Sequence, residues 1–217
     1  MKEKVLEKQT KKIVFLVLLF ILGMLIGGLL SNNKHFNMWP FSRNKAVGIP
    51  DNILSKVDSE TKTHDLLFVT EESLEFNVEA NKIIIYMEHY EKDKLIETKE
   101  LATLSADTVS KDNLYGVVQW GIADWDLKED NLKVGLMVNE NTVTSNYTII
   151  SKETSAAASS GMSYEEEKIT LDQPILIGFW GFGEDSAGSL VFEEHGFNKK
   201  ELRTNKESFA LFFKAID

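Results

Sequence analysis

At 217 residues, 43% hydrophobic and 27% charged, the chain is long enough to bury a core without covalent staples. It has no cysteine, which excludes disulfides, thiolate zinc sites and cysteine nucleophiles. Five of its 24 basic residues but only two of its 34 acidic ones fall in residues 1–31, which leaves 19 basic against 32 acidic residues for the rest. That acidity excludes nucleic acid as a partner, because phosphate contacts come mainly from Lys and Arg.

Residues 1–12 form a short tail with Lys2, Lys4, Lys8, Lys11 and Lys12. Ile13 to Leu30 (IVFLVLLFILGMLIGGLL) then runs 18 residues without a charge. As an α-helix it spans about 27 Å, close to the roughly 30 Å hydrocarbon core of a bilayer. A cleaved signal peptide has a shorter apolar region, about 7–15 residues, ending at an A-x-A-like site. LLSNN offers no such site, so residues 13–30 read as an uncleaved signal anchor in the lipid bilayer. The lysines before the helix outnumber Lys34, Arg43 and Lys45 after it, so the expected topology is single-pass with the N-terminus cytoplasmic and the C-terminal domain extracytoplasmic. Gly23 and Gly27 form a G-x-x-x-G spacing that lets two helices approach closely, so a homodimer through the membrane helix is expected at these positions.

Residues 31–50 carry asparagine, lysine and two prolines without periodicity, and read as a juxtamembrane linker. Met38, Trp39, Pro40 and Phe41 fall just past the outer interface, where aromatic side chains rest at headgroup level.

Residues 51–217 form the expected outer domain. Asp51 is positioned to cap a short helix through Val57. Strand signals follow: Ile83 to Tyr90, with Glu91 to Lys94 as a hairpin loop into LIETKEL; Leu114 to Ile122; Leu132 to Val138, with Leu132, Val134, Leu136 and Val138 on one face; and Tyr147 to Ile150. Ser155 to Ser163 (SAAASSGMS) has no core-forming content and reads as a mobile loop. PILIGFWGFGED (Pro174 to Asp185) is too short to span a membrane. It lacks the third glycine and the lysine of a phosphate loop. It therefore reads as a strand apolar on both faces, with Ile175, Ile177 and Phe179 pointing one way and Leu176, Trp180 and Phe182 the other. Gly178 and Gly181 mark a bulge or a close backbone approach, and GEDSAG turns the chain into Leu190 to Phe192. Residues 205–217 fit a helical face or a strand face, with Thr204 and Glu207 at capping-box spacing; short length and aromatic content favour a strand. Nine or ten short strands without a long amphipathic helix predict a mainly-β domain, an antiparallel β-sandwich of immunoglobulin-like or similar type.

No catalytic constellation emerges. His35, His64, His89 and His195 are not at metal-ligand spacing. There is no G-x-S-x-G elbow, and Ser59 with Lys62 is an S-x-x-K match without its partner motifs. DWDLKED fails as a calcium loop because Glu129 stands at the turn glycine and Gly135 at the final glutamate. Neither a metal nor a cofactor is expected. The most suggestive segment is QWGIADWD, in which Trp120, Asp124, Trp125 and Asp126 combine aromatic faces with carboxylates, the chemistry of glycan binding. The competing reading is a core Trp120 followed by a polar loop. The expected function is thus non-enzymatic: a single-pass bacterial cell-envelope protein whose acidic outer domain binds a protein or surface ligand. The alternative is a glycan-binding module or hydrolase using residues 120–126.

Overall fold

The computed structural model describes residues 2–41, 47–56, 70–105, 114–126, 129–138, 141–149, 156–162, 164–183, 187–188 and 197–217. Ser59, Lys62, His64, His195 and the run Leu190 to Phe192 lie outside them.

Helix α1 (Lys2–His35) contains a stretch, Lys12–His35, long and apolar enough to cross a membrane, and none of it is buried against protein. It ends in a Schellman motif. Asn37 takes the left-handed conformation (φ 51°), the Met38 N–H donates to the Asn33 carbonyl at 2.8 Å, and the Asn37 N–H donates to the Lys34 carbonyl at 3.4 Å. Asparagine is one of the few residues besides glycine that tolerates this conformation.

The rest is mainly β. Eleven strands occur among the described residues: β1 (Ile53–Lys56), β2 (Thr70–Val78), β3 (Lys82–Glu91), β4 (Lys94–Ser105), β5 (Leu114–Asp126), β6 (Glu129–Val138), β7 (Asn141–Ile149), β8 (Ala156–Gly161), β9 (Glu166–Lys168), β10 (Ile175–Gly183) and β11 (Glu207–Ile216). They form two sheets, ordered β7-β6-β5-β2-β1-β9 and β4-β3-β11-β10-β8, with every pairing antiparallel. One core joins the sheets: Leu74 and Phe76 of β2, Val118 of β5, and Leu132, Val134 and Leu136 of β6 share a cluster with Ile83 and Ile85 of β3 and Leu211 and Phe213 of β11. The Phe76 and Phe213 rings meet across the sheets at 5.2 Å. The alternation expected for Leu132 to Val138 is observed, and those four side chains are buried.

Strand β10 is buried along its whole length, as its two-faced apolar pattern predicts. A 3₁₀ helix, Lys199–Thr204, capped by the Asn198 side chain, helps cover the outer face of the second sheet. There Leu202 packs with Tyr90, Leu176, Phe179, Ala210 and Phe212. Arg203 pairs with Asp93 at 2.6 Å and so ties this helix to the β3–β4 turn.

Four expectations are corrected, and the C-terminal alternative is settled in favour of the strand. The register of β10 against β11 shifts between Leu176 and Gly178, so Ile175, Ile177, Trp180 and Phe182 enter the inter-sheet core, while Leu176 and Phe179 face the outer cluster. The extra residue of a bulge inverts the period-two alternation beyond it. Residues 156–161 are a strand, because β8 draws its ladder from β10 (Gly178↔Gly161 through Gly183↔Ala156) and needs no apolar side chains of its own. Residues 53–56 are a strand, not a helix capped by Asp51, because β2 and β9 flank β1 on both sides. The segment after Ile122 is strand through Asp126, not a polar loop. Thr204 and Glu207 form no capping box; Glu207 begins β11, so the C-terminal ambiguity resolves to strand.

Candidate functional site

The antiparallel registers give the domain two distinct ends. Near α1 lie the start of β1, the end of β2, the start of β3 and the end of β11. At the far end lie the Lys92–Asp93 turn, the start of β11, and the end of β5 with Asp124, Trp125 and Asp126.

Trp120 does not reach solvent as a stacking platform; it is 3% exposed. A Cβ on Gly178 would lie 3.0 Å from its indole Nε1 and 2.9 Å from Cη2 of Trp180, so the absent side chain at Gly178 makes room for both tryptophans. Trp125 pairs with Asp130 and Asp126 with Glu129, and the register shifts between Ile122 and Trp125. The side chains of Asp124, Trp125 and Asp126 lie outside the described set, so the four residues share a strand end but not a demonstrated cluster. Gly23 and Gly27 both lie on α1, with open space where a Cβ would project.

Beside Trp120, its cross-strand neighbour Glu72 presents a carboxylate to β8. A Cβ on Gly161 would collide with the Glu72 carboxylate. Burial pushes the Glu72 carboxyl above its ordinary range, against the opposing pull of Lys56 and of the Met162 N–H it accepts.

A polar cluster missed by the sequence reading gathers toward the far end, between the sheets. His89 pairs with Phe209 on one side and Glu97 on the other. Its ring stacks on Phe209 at 4.4 Å with an interplanar angle of 7°. Tyr147, from the opposite sheet, meets Phe209 edge-on at 6.3 Å and donates its hydroxyl to Glu97 at 3.3 Å. The Lys99 ammonium sits 4.9 Å over the Tyr147 ring. Burial first, then the negative charge of Glu97 and the bond to it, push the Tyr147 hydroxyl up to about 12. His89 Nε2 and Glu207 Oε2 are buried without a hydrogen-bond partner among the described residues. Nothing local in the sequence singles these residues out, because Tyr147 and Glu97 lie fifty residues apart on different sheets.

Chemically, this arrangement offers an acceptor, a cation and aromatic faces. Among the described residues no three His, Asp or Glu side chains are grouped as metal ligands. The molecule is thus a β-domain of two antiparallel sheets carried behind one helix apolar enough to anchor it in a membrane. Residues 53–216 match the YgaN domain model, and the chain belongs to that family. No curated protein and no solved structure matches it.

Proposed function

We propose that this protein is a single-pass cell-envelope protein, N-terminus cytoplasmic, whose extracytoplasmic domain binds a protein or surface ligand with its far end and performs no catalysis. The carrying observation is the opposition of the two ends: α1 joins at one, and the Glu97, Lys99, Tyr147 and His89 group lies toward the other. Two sheets around a shared core support an immunoglobulin-like sandwich, a frequent scaffold for binding ends. Self-association through Gly23 and Gly27 belongs to the same reading, since a dimer would present two such ends side by side.

The absence of cysteine makes the test clean. Single cysteines replace Lys8 in the tail, Leu95 beside the far turn and Lys168 in β9. On intact cells an impermeant thiol reagent labels Leu95→Cys and reaches Lys8→Cys only after permeabilisation; the reverse pattern overturns the topology. A photocrosslinker at Leu95→Cys traps a partner and one at Lys168→Cys does not; trapping only from Lys168 overturns the binding-end assignment.

A second reading, a glycan-binding module, is favoured by one observation: Asp124, Trp125 and Asp126 end β5 at the same far end. With Trp120 buried, this reading rests on those three residues. Oligosaccharide binding lost in Trp125→Ala, with unchanged stability, is its expected result.

A further inference from the structure

We infer that Met38, Trp39, Phe41 and Val47 form an interfacial foot that seats the base of the domain in the headgroup zone of the bilayer. The inference rests on α1 spanning the membrane. These side chains stand open to solvent within the protein, Trp39 at 81%, directly after a helix whose apolar stretch is covered by no protein contact. A fully exposed tryptophan beside a spanning helix matches the amphipathic ring that membrane interfaces favour.

Depth follows from two bonds. Asn33 Nδ2 donates to the Trp39 carbonyl at 2.9 Å, and the Asn33 carbonyl accepts the Met38 N–H at 2.8 Å. The turn therefore folds back to the level of Asn33, three residues past Leu30, or about 4.5 Å beyond the apolar run. The interfacial zone is about 5–8 Å deep on each side, so Trp39 sits within it. The Gly48 N–H donates to the Phe36 carbonyl at 2.8 Å, which returns Val47 to the same level. Lys34 in the last helical turn supplies a cation at the height of lipid phosphates.

The foot is also joined to the domain. Asn37 is 2% exposed, and its Nδ2 donates to the Ile49 carbonyl at 2.6 Å and to Asp51 Oδ1 at 3.2 Å. Seating the foot thereby sets the height and tilt of the two sheets above the membrane.

The test uses the full chain reconstituted into phosphatidylcholine vesicles containing lipid brominated along the acyl chain, with vesicle flotation measured on the same samples. Bromolipid quenches part of the tryptophan emission of the native chain, and that part vanishes in Trp39→Phe, while both proteins float. Trp120 and Trp180 are buried, Trp125 ends β5 at the end of the domain away from α1, and these three supply the unquenched signal. Equal quenching of the two floated proteins, or none in either, overturns the foot and leaves the anchor standing. Failure of both proteins to float overturns the anchor and the foot with it.

Discussion

Asn37 and Asn77 donate to the same acceptor: each Nδ2 lies 2.6 Å from the carbonyl oxygen of Ile49. A carbonyl has two lone pairs, and here one is met from the helix exit and the other from the end of β2. Residues expected to act as a free linker thus include a hydrogen-bonded junction between α1 and the sheets. The two roles of Asn37 are separable. Asn37→Gly keeps the left-handed helix stop and loses the side-chain bonds; Asn37→Ala loses both. Each buried bond is worth about 0.5–1.5 kcal/mol net, and a left-handed alanine costs roughly 1–2 kcal/mol more. In thermal unfolding of the full chain in detergent, the midpoint falls in the order native, Gly, Ala; equal midpoints for all three would show that the junction carries no stability.

Gly178 is the second point of sensitivity. Alanine there meets the rings of Trp120 and Trp180, and valine adds two further methyl groups to a site with no room. Overpacking of this kind costs about 1–3 kcal/mol. Denaturant midpoints are expected to fall for Gly178→Ala and further for Gly178→Val. A Gly178→Val protein of native stability would contradict the assignment of PILIGFWGFGED to the core.

Glu72 links stability to acid. Burial raises its folded carboxyl above the reference value of 4.5, and Glu75 in the same strand shifts the same way for the same reason. A raised folded value means the native state binds more protons, so stability is fully present below 4.5 and is lost as pH rises through the folded value. Glu72→Gln keeps an acceptor for the Met162 N–H and removes the titration. Its gain over the native chain is expected to appear above that window and to vanish below pH 4.5, as read by urea midpoints across pH 4 to 7. A constant difference across pH would refute the linkage.

Three tyrosines set the alkaline limit. Tyr86 and Tyr147 are both pushed up to about 12, in each case by burial first and then by a neighbouring glutamate, Glu88 and Glu97 respectively. Tyr90 is raised further by burial and by its hydrogen bond to Glu88. All three folded values lie above the free value of 10, so their contribution is fully present below pH 10 and drains as pH rises from 10 toward 12. Ultraviolet phenolate titration is expected to show these tyrosines ionising late, together with loss of near-ultraviolet dichroism. In Tyr147→Phe the late component shrinks by one tyrosine.

Local composition was enough to identify a helix able to cross a membrane and most strands. Eighteen uncharged apolar residues can do little but span or be buried, and Leu132, Val134, Leu136 and Val138 declare a half-buried strand by period alone. Features that depend on a partner were not legible. AAASSG has nothing apolar to recommend it, and becomes β8 only because β10 offers its open edge. Gly178 marked a bulge or a close backbone approach in PILIGFWGFGED, but not which way the side chains beyond it point, since both phases of that segment are apolar; packing of Trp180 against Trp120 and Gly178 selects one. The candidate site divides the same way. Trp120 drew notice by residue type and proved to be core, and His89 was considered only as a metal ligand, whereas Glu97, Lys99 and Tyr147 drew none, because Tyr147 approaches Glu97 from fifty residues away and from the other sheet.

By itself, then, the sequence determined an acidic, cysteine-free β-domain behind a helix able to cross a membrane, since charge, hydropathy and strand period are properties of short windows. The tertiary structure alone decided which face Trp180 takes, that residues 156–161 are a strand, that Asn37 and Asn77 close on Ile49, and which polar side chains meet between the sheets. Each of these depends on hydrogen bonds or steric exclusion between segments distant in the chain, and no local window contains both partners.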